Sequence, residues 1–199
     1  MAQIGASKPY FAIYSATGNT VTYSEGALMG KLVQLDIELD DADDNTLYAD
    51  NGPAETSTTF SGGTVTITTD DLNPELMVEL LGLTEQAIET EGLTTTSPKL
   101  YVYNENQQAP DLGFGAIVKR QINNQIKWQA VILYRIKLSN PSDSFATQGE
   151  TIEWGTPEIS GTILRSDATG APWKAVSSWL DSEADAEAIL KQALQIGAA

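Results

Sequence analysis

The sequence predicts a mainly β (α+β) fold with two accessory helices, one short and flanking, one near the C-terminus. Three observations carry this. Lys31–Asp40 alternates strictly between apolar and polar residues, the segment 125–138 alternates over a longer run beyond an Asn-Asn pair, and helical spacing flanked by capping residues occurs only near 73–82 and 182–197. An apolar fraction of 41% with 19% charged residues supplies enough material for a packed core and excludes disorder as the general state.

The first element is the strand Lys31–Asp40. Val33, Leu35, Ile37 and Leu39 fall on one face, expected inward, and Gln34, Asp36, Glu38 and Asp40 on the other. After the Gly62-Gly63 turn signal, Thr64–Thr69 repeats the pattern with Val65 and Ile67 inward and Thr64, Thr66 and Thr68 outward. The segment 41–63 between them, rich in Asp, Asn, Gly, Thr and Ser, is expected to be a long, mobile interaction loop. Its start, Asp41-Ala-Asp43-Asp44-Asn45, invites a calcium loop but lacks the Gly at the sixth position and the Glu at the twelfth that an EF-hand requires. A solvated acidic loop is the simpler assignment.

Asn73 is a good N-cap, Pro74 suits the first helical position, Glu75 favours the positive dipole end and Gly82 supplies the stop. Leu72 and Met77 are spaced as a hydrophobic staple, and Leu76, Met77, Leu80 and Leu81 form a stripe suited to docking on a sheet. Residues 112–121 and 125–138 then form a hairpin about Asn123-Asn124. In its second strand Ile126, Trp128, Ala130, Ile132, Tyr134, Ile136 and Leu138 share the apolar face, opposite Lys127, Gln129, Val131, Leu133, Arg135 and Lys137. Asn140-Pro141 ends that strand, Thr151–Trp154 and Ile159–Leu164 read as two more, and Pro157 belongs in the connection or on an edge. Ser182 with Asp185 approximates a capping box ahead of Ala186, Ile189, Leu190, Ala193 and Leu194, and Gly197 follows. With no Pro/Ser linker and no internal repeat, 1–199 is expected to be one domain, with the long loop at 41–63 and a helical segment at about 182–196.

Residue types that are missing narrow the chemistry. With no Cys and no His, disulfides, zinc sites of the usual ligands, Ser-His-Asp triads and Cys-His nucleophiles are excluded. An enzyme would have to work with carboxylates alone, for which Glu150 and Glu153, or Asp36 and Glu38, are the nominees. Such pairs arise routinely in acidic chains, so no catalytic residue, cofactor or metal is expected. The longest apolar runs span only a few residues, and Met1–Tyr14 is interrupted by Gly5, Lys8 and Pro9, so neither a membrane span nor a secretion signal is expected.

The net charge is −16, unevenly spread. Residues 1–98 hold two bases against sixteen acids, 99–141 six against two, and 142–199 three against nine. An acidic body repels nucleic acid as a ligand, yet is suited to surround it without sticking.

Asn45-Thr-Leu-Tyr-Ala-Asp-Asn-Gly-Pro53, Gly62-Gly-Thr-Val-Thr-Ile67, the helix between Asp71-Leu72 and Leu81-Gly82, Leu112-Gly-Phe-Gly115, the Tyr134–Leu138 strand, Ala146–Glu150 with Ile152-Glu-Trp154, and Pro157–Gly161 together resemble the phi13-like major tail (tail tube) proteins of long non-contractile-tailed bacteriophages. The resemblance implies a tail-tube-like antiparallel β-sandwich or barrel, associating into hexameric rings that stack as a conduit for DNA ejection. It also implies a place in the virion after synthesis in the bacterial host cytoplasm. The implied partners are further copies of the chain, a tape measure protein, tail completion or initiator proteins, and passing genomic DNA that is not specifically bound. The long loop would contact the next ring, through Asp43, Asp44, Tyr48, Asp50, Asn51 and Glu55.

A conduit for a polyanion needs a wall that does not grip phosphate, and Gln34, Asp36, Glu38, Thr64, Thr66 and Thr68 are the expected lumen residues. Lys127, Val131, Leu133, Arg135 and Lys137 are the expected subunit seam, since bases lining the lumen would hold DNA; Leu133→Asp should then block assembly and spare the fold. The alternative is a monomeric ligand- or carbohydrate-binding β-sandwich module. Of its aromatic candidates, Trp128 and Trp154 match core spacing, whereas Trp173 and Trp179 stay open as a stacking platform.

Overall fold

Antiparallel strands dominate the protein, and the longest sequence-predicted hairpin lies at the middle of its main sheet. The computed structural model describes residues 2–40, 45–49, 52–57, 60–88, 98–142, 147 and 155–197; for 45–49 and 52–57 only the backbone is described. The strands are β1 (Ala2–Thr17), β2 (Thr20–Leu28), β3 (Leu32–Leu39), β4 (Asn45–Ala49), β5 (Gly52–Ser57), β6 (Gly63–Thr69), β7 (Thr84–Ala87), β8 (Lys99–Val102), β9 (Asp111–Ile122), β10 (Gln125–Leu138), β11 (Glu158–Leu164) and β12 (Lys174–Val176). The helices are α1 (Pro74–Leu81) and α2 (Glu183–Ala193).

The main sheet has eight strands in the order β2-β1-β9-β10-β11-β6-β3, with β12 also paired to β10; β4-β5 and β7-β8 are separate two-stranded sheets. Although four strands separate them in that order, β1 and β3 come into contact, so the sheet curls round its interior. Asn123 and Asn124, at φ 50° and 62°, make the left-handed two-residue turn between β9 and β10. Asn tolerates that backbone at little cost, which is why the pair marks the hairpin.

Two cores result, one on each side of the sheet. The larger contains Phe11, Val65, Ile67, Leu112, Phe114, Leu133, Ile136, Ile159 and Ile163, and α1 closes it with Met77, Leu80 and Leu81. The α1 caps match the sequence expectation: Asn73 accepts from the Glu75 amide at 3.0 Å, and Gly82 adopts φ 70° and donates to Val78 O at 2.9 Å. The smaller core holds Ala12, Tyr14, Ile117, Ala130 and Ile132 under Ala186, Leu190 and Leu194 of the α2 segment. Ser182 caps α2 by accepting from the Asp185 amide at 3.1 Å. Close approach needs missing side chains: a Cβ at Gly113 would lie 2.8 Å from Leu194 Cδ2, and one at Gly115 2.9 Å from Leu190 Cγ.

Bulges account for most differences from the expected faces. The β10 register against β9 breaks between Leu133 and Ile136, so Leu133 points into the larger core together with Ile136 and Leu138 instead of sharing a face with Lys137. Val33 sits in a break between Leu32 and Gln34 and is 56% exposed, and Leu39, ending its strand, is 51% exposed; neither is inward as alternation predicts. Ile126, at the hairpin tip, is likewise exposed, as is Ile189 on α2.

Strands β1 and β2 have no counterpart in the sequence prediction. Their alternation is broken by bulges at Lys8 (φ 53°) and Glu25 (φ 51°). The segment expected to be an extended loop contains the β4–β5 hairpin, for which the dipeptide Asn51-Gly52 is the available signal. The expected strand Thr151–Trp154 lies outside the described residues.

Candidate functional site

The six expected lumen residues come together. Gln34 opposes Thr68, Asp36 opposes Thr66, and Glu38 opposes Thr64, on neighbouring β3 and β6. The rows continue onto β11, where Glu158, Ser160 and Thr162 face Thr68, Thr66 and Thr64. Cross-strand pairs of one register share a face, so a three-strand polar surface lies on the side of the sheet away from the larger core. Thr66 and Ser160 hydroxyls are 3.2 Å apart, and Gln34 Nε2 donates to Asp36 Oδ2 at 2.6 Å. The alternating Val65, Ile67, Ile159 and Ile163 fill the core behind it, which fixes the register of the polar residues.

The Glu38 row extends further, through Thr162 to Lys137 on β10 and then to Asp111 on β9. Lys137 is therefore on the same face as the six residues expected to line a lumen, and its expected separation from them is corrected. Arg135 joins it after the bulge, but its charge is taken up: its guanidinium meets Asp111 Oδ2 at 2.7 Å and Asp167 Oδ2 at 2.9 Å, and lies 5.1 Å above the Tyr14 ring. Counting Asp36, Glu38, Glu158 and Asp111 against Arg135 and Lys137, the face stays acidic, four charges to two.

The seam set does not form one surface. Leu133 is 1% exposed and is core, Arg135 is held within the chain, Lys127 is ion-paired to Asp181, and Val131 opposes Val176 of β12. Of the residues expected to contact a neighbouring ring, Tyr48 is on β4 and Glu55 on β5, opposite Pro53 and Leu47 respectively, while Asp43, Asp44, Asp50 and Asn51 lie outside the described residues.

Among the described residues no strand pairs with the outer side of β3, which ends the sheet order. At the sheet's other edge, β2, the Tyr23 amide donates to Gln195 Oε1 at 3.0 Å, so the turn after α2 blunts that edge in part. The β4–β5 hairpin pairs with no other described strand.

The features a monomeric module or an enzyme would use are arranged differently. Trp173 stacks on Phe60 at 4.5 Å and 8°, with Lys174 5.8 Å from its ring, and Trp179 lies under the Arg120 guanidinium at 5.2 Å. Trp128 is partly buried against the smaller core, and Trp154 lies outside the described residues. A cavity of about 690 Å³ beside α1, lined by Leu72, Met77, Leu83, Leu100, Tyr101 and Pro157 among others, is the place a small apolar ligand would occupy. Asp36 and Glu38 project two residues apart along an open strand, and Glu150 and Glu153 lie outside the described residues. Among the described residues no group of acids is placed to hold a metal, and no helix is long and apolar enough to cross a membrane.

No family model matches the chain, and no curated protein matches it.

Proposed function

We propose that the chain is a structural virion protein, the major tail tube subunit of a long-tailed bacteriophage, assembling as stacked, hexameric rings that conduct DNA during ejection. The carrying observation is the continuous hydroxyl and carboxylate face of β3, β6 and β11, net acidic and backed by core, beside the open β3 edge. Edge pairing between copies would extend that face round a ring and remove the open edge. A wall of this chemistry repels a polyanion while hydroxyls keep it wetted. In this proposal the β4–β5 hairpin meets the next ring, and the tape measure and initiator proteins set length and start.

The absence of cysteine gives a clean test. An Asp36→Cys variant, assembled, should react with a small maleimide and resist one carried on a polymer wider than the bore, whereas Glu79→Cys on exposed α1 should react with both. Equal reactivity of the two sites with the large reagent would move Asp36 out of the lumen. Saturable binding of a small apolar ligand to the cavity beside α1, in a chain that never assembles, would favour the monomeric module instead.

A further inference from the structure

The chain has 27 acids and 11 bases, so each base has ample choice of partner. Even so, at one corner of the sheet bases are placed against each other. Arg120 on β9 directly opposes Lys127 on β10, and Lys119 is the next residue. Like charges in cross-strand register are destabilising, and nothing in the hairpin geometry requires them there. Asp181 serves Lys127, while neither Lys119 nor Arg120 has an ion pair among the described residues. Arg120 Nε is buried without an acceptor among the described residues, its guanidinium lying over Trp179. An orphaned guanidinium N–H is costly to keep.

Two exposed isoleucines lie at the same corner. The β1 register against β9 shifts between Gln3, opposite Arg120, and Gly5, opposite Lys119; the intervening Ile4 is 50% exposed. Ile126, beside Lys127, is 43% exposed. Register puts Arg120 and Lys127 on one side of the hairpin and Lys119 with Ile126 on the other, so the hairpin tip carries positive charge on both sides.

We propose that this corner, formed by Ile4, Lys119, Arg120, Ile126, Lys127 and Trp179, is a docking surface for an acidic surface of a second copy of the chain. It rests on the assembly proposed above and names a contact surface for it that differs from the expected seam. The exposed isoleucines and the bases together select the occupant: an acidic protein surface, which this chain supplies with 27 acids against 11 bases, covers both, whereas duplex DNA presents phosphate but no apolar area to cover the isoleucines. The two isoleucines supply apolar area of the kind a protein surface covers.

The test compares wild type, Lys119→Arg and the double variant Lys119→Glu/Arg120→Glu by light scattering over a concentration series, with circular dichroism and urea melts as fold controls. The double variant places an acid opposite Lys127 and is expected to fold. Its assembly threshold should rise about tenfold or more at fixed NaCl, with Lys119→Arg unchanged. An unchanged threshold in a folded double variant of an assembling protein overturns this docking surface and leaves the tube proposal standing. Wild type monomeric up to millimolar concentration overturns both. Binding of a fluorescent 30-base-pair DNA duplex by the wild-type monomer, lost in the double variant, replaces the second copy with nucleic acid as the occupant.

Discussion

Leu133 and Arg135, two residues apart on β10, project to opposite sides of the sheet: Leu133 is buried in the larger core, and Arg135 reaches Asp111 and Asp167 on the polar side. The register break between Leu133 and Ile136 separates them. It also moves Lys137 onto the face that carries Glu38 and Thr162.

Leu133→Asp should therefore unfold the chain instead of blocking assembly alone, because it places a carboxylate in an apolar core. Leu133→Ala, which only deletes volume, should cost about 2–5 kcal/mol in urea unfolding. A midpoint unchanged from wild type would put Leu133 back on the surface.

The mating of α2 with the sheet depends on Gly115, where an added Cβ would lie 2.9 Å from Leu190 Cγ and 3.2 Å from Val131 O. The backbone oxygen cannot give way as a side chain tip can. Gly115→Val should cost about 1–3 kcal/mol and render the C-terminal segment sensitive to limited proteolysis, while core residues under α1 keep their protection.

Glu187 on α2 accepts from Tyr10 Oη at 2.7 Å and bonds Lys191 and Lys8, and hydrogen bonds from Lys191, then Lys8 and Tyr10, hold its carboxyl down from 4.5 to about 2. A depressed folded-state value means that the unfolded chain takes up the proton first. This contribution is thus complete above the ordinary carboxylate value and disappears as pH falls toward 2. Thermal melts should show Glu187→Gln less stable than wild type at pH 7, with the gap narrowing below about pH 4.5. A gap independent of pH would mean that the charge of Glu187 contributes nothing.

At the β9–β10 turn Asn124 has φ 62°. Asn124→Gly should stabilise by ~0.5 kcal/mol, since Gly meets no steric cost in that region. Loss of stability in urea would show that the Asn side chain makes a contribution larger than its backbone strain.

The legible parts of the fold are those with unbroken period and local punctuation. Thr64–Thr69, the Asn123-Asn124 turn, the Asn73 and Gly82 caps of α1 and the Ser182 cap of α2 can each be read from a few adjacent residues. The shared polar face of Gln34, Asp36 and Glu38 was legible for the same reason, since they lie on one unbroken stretch of β3. What alternation could not reveal is where a bulge resets it. Lys8, Glu25 and the Leu133–Ile136 break each shift parity through a long-range pairing, and that pairing leaves no local mark. The β1–β2 strands and the true side of Leu133 were lost in this way. The basic corner was hidden differently, because Arg120 and Lys127 become neighbours only once the hairpin closes, and Ile4 only through β1 pairing.

Electron microscopy of the purified chain, with light scattering across a concentration series, tests the central claim most directly. Rings or hollow tubes with a continuous inner wall are the expected result, with the β3–β6–β11 face lining the bore at higher resolution. A population that remains monomeric at every concentration, or solid filaments with no bore, would contradict the conduit.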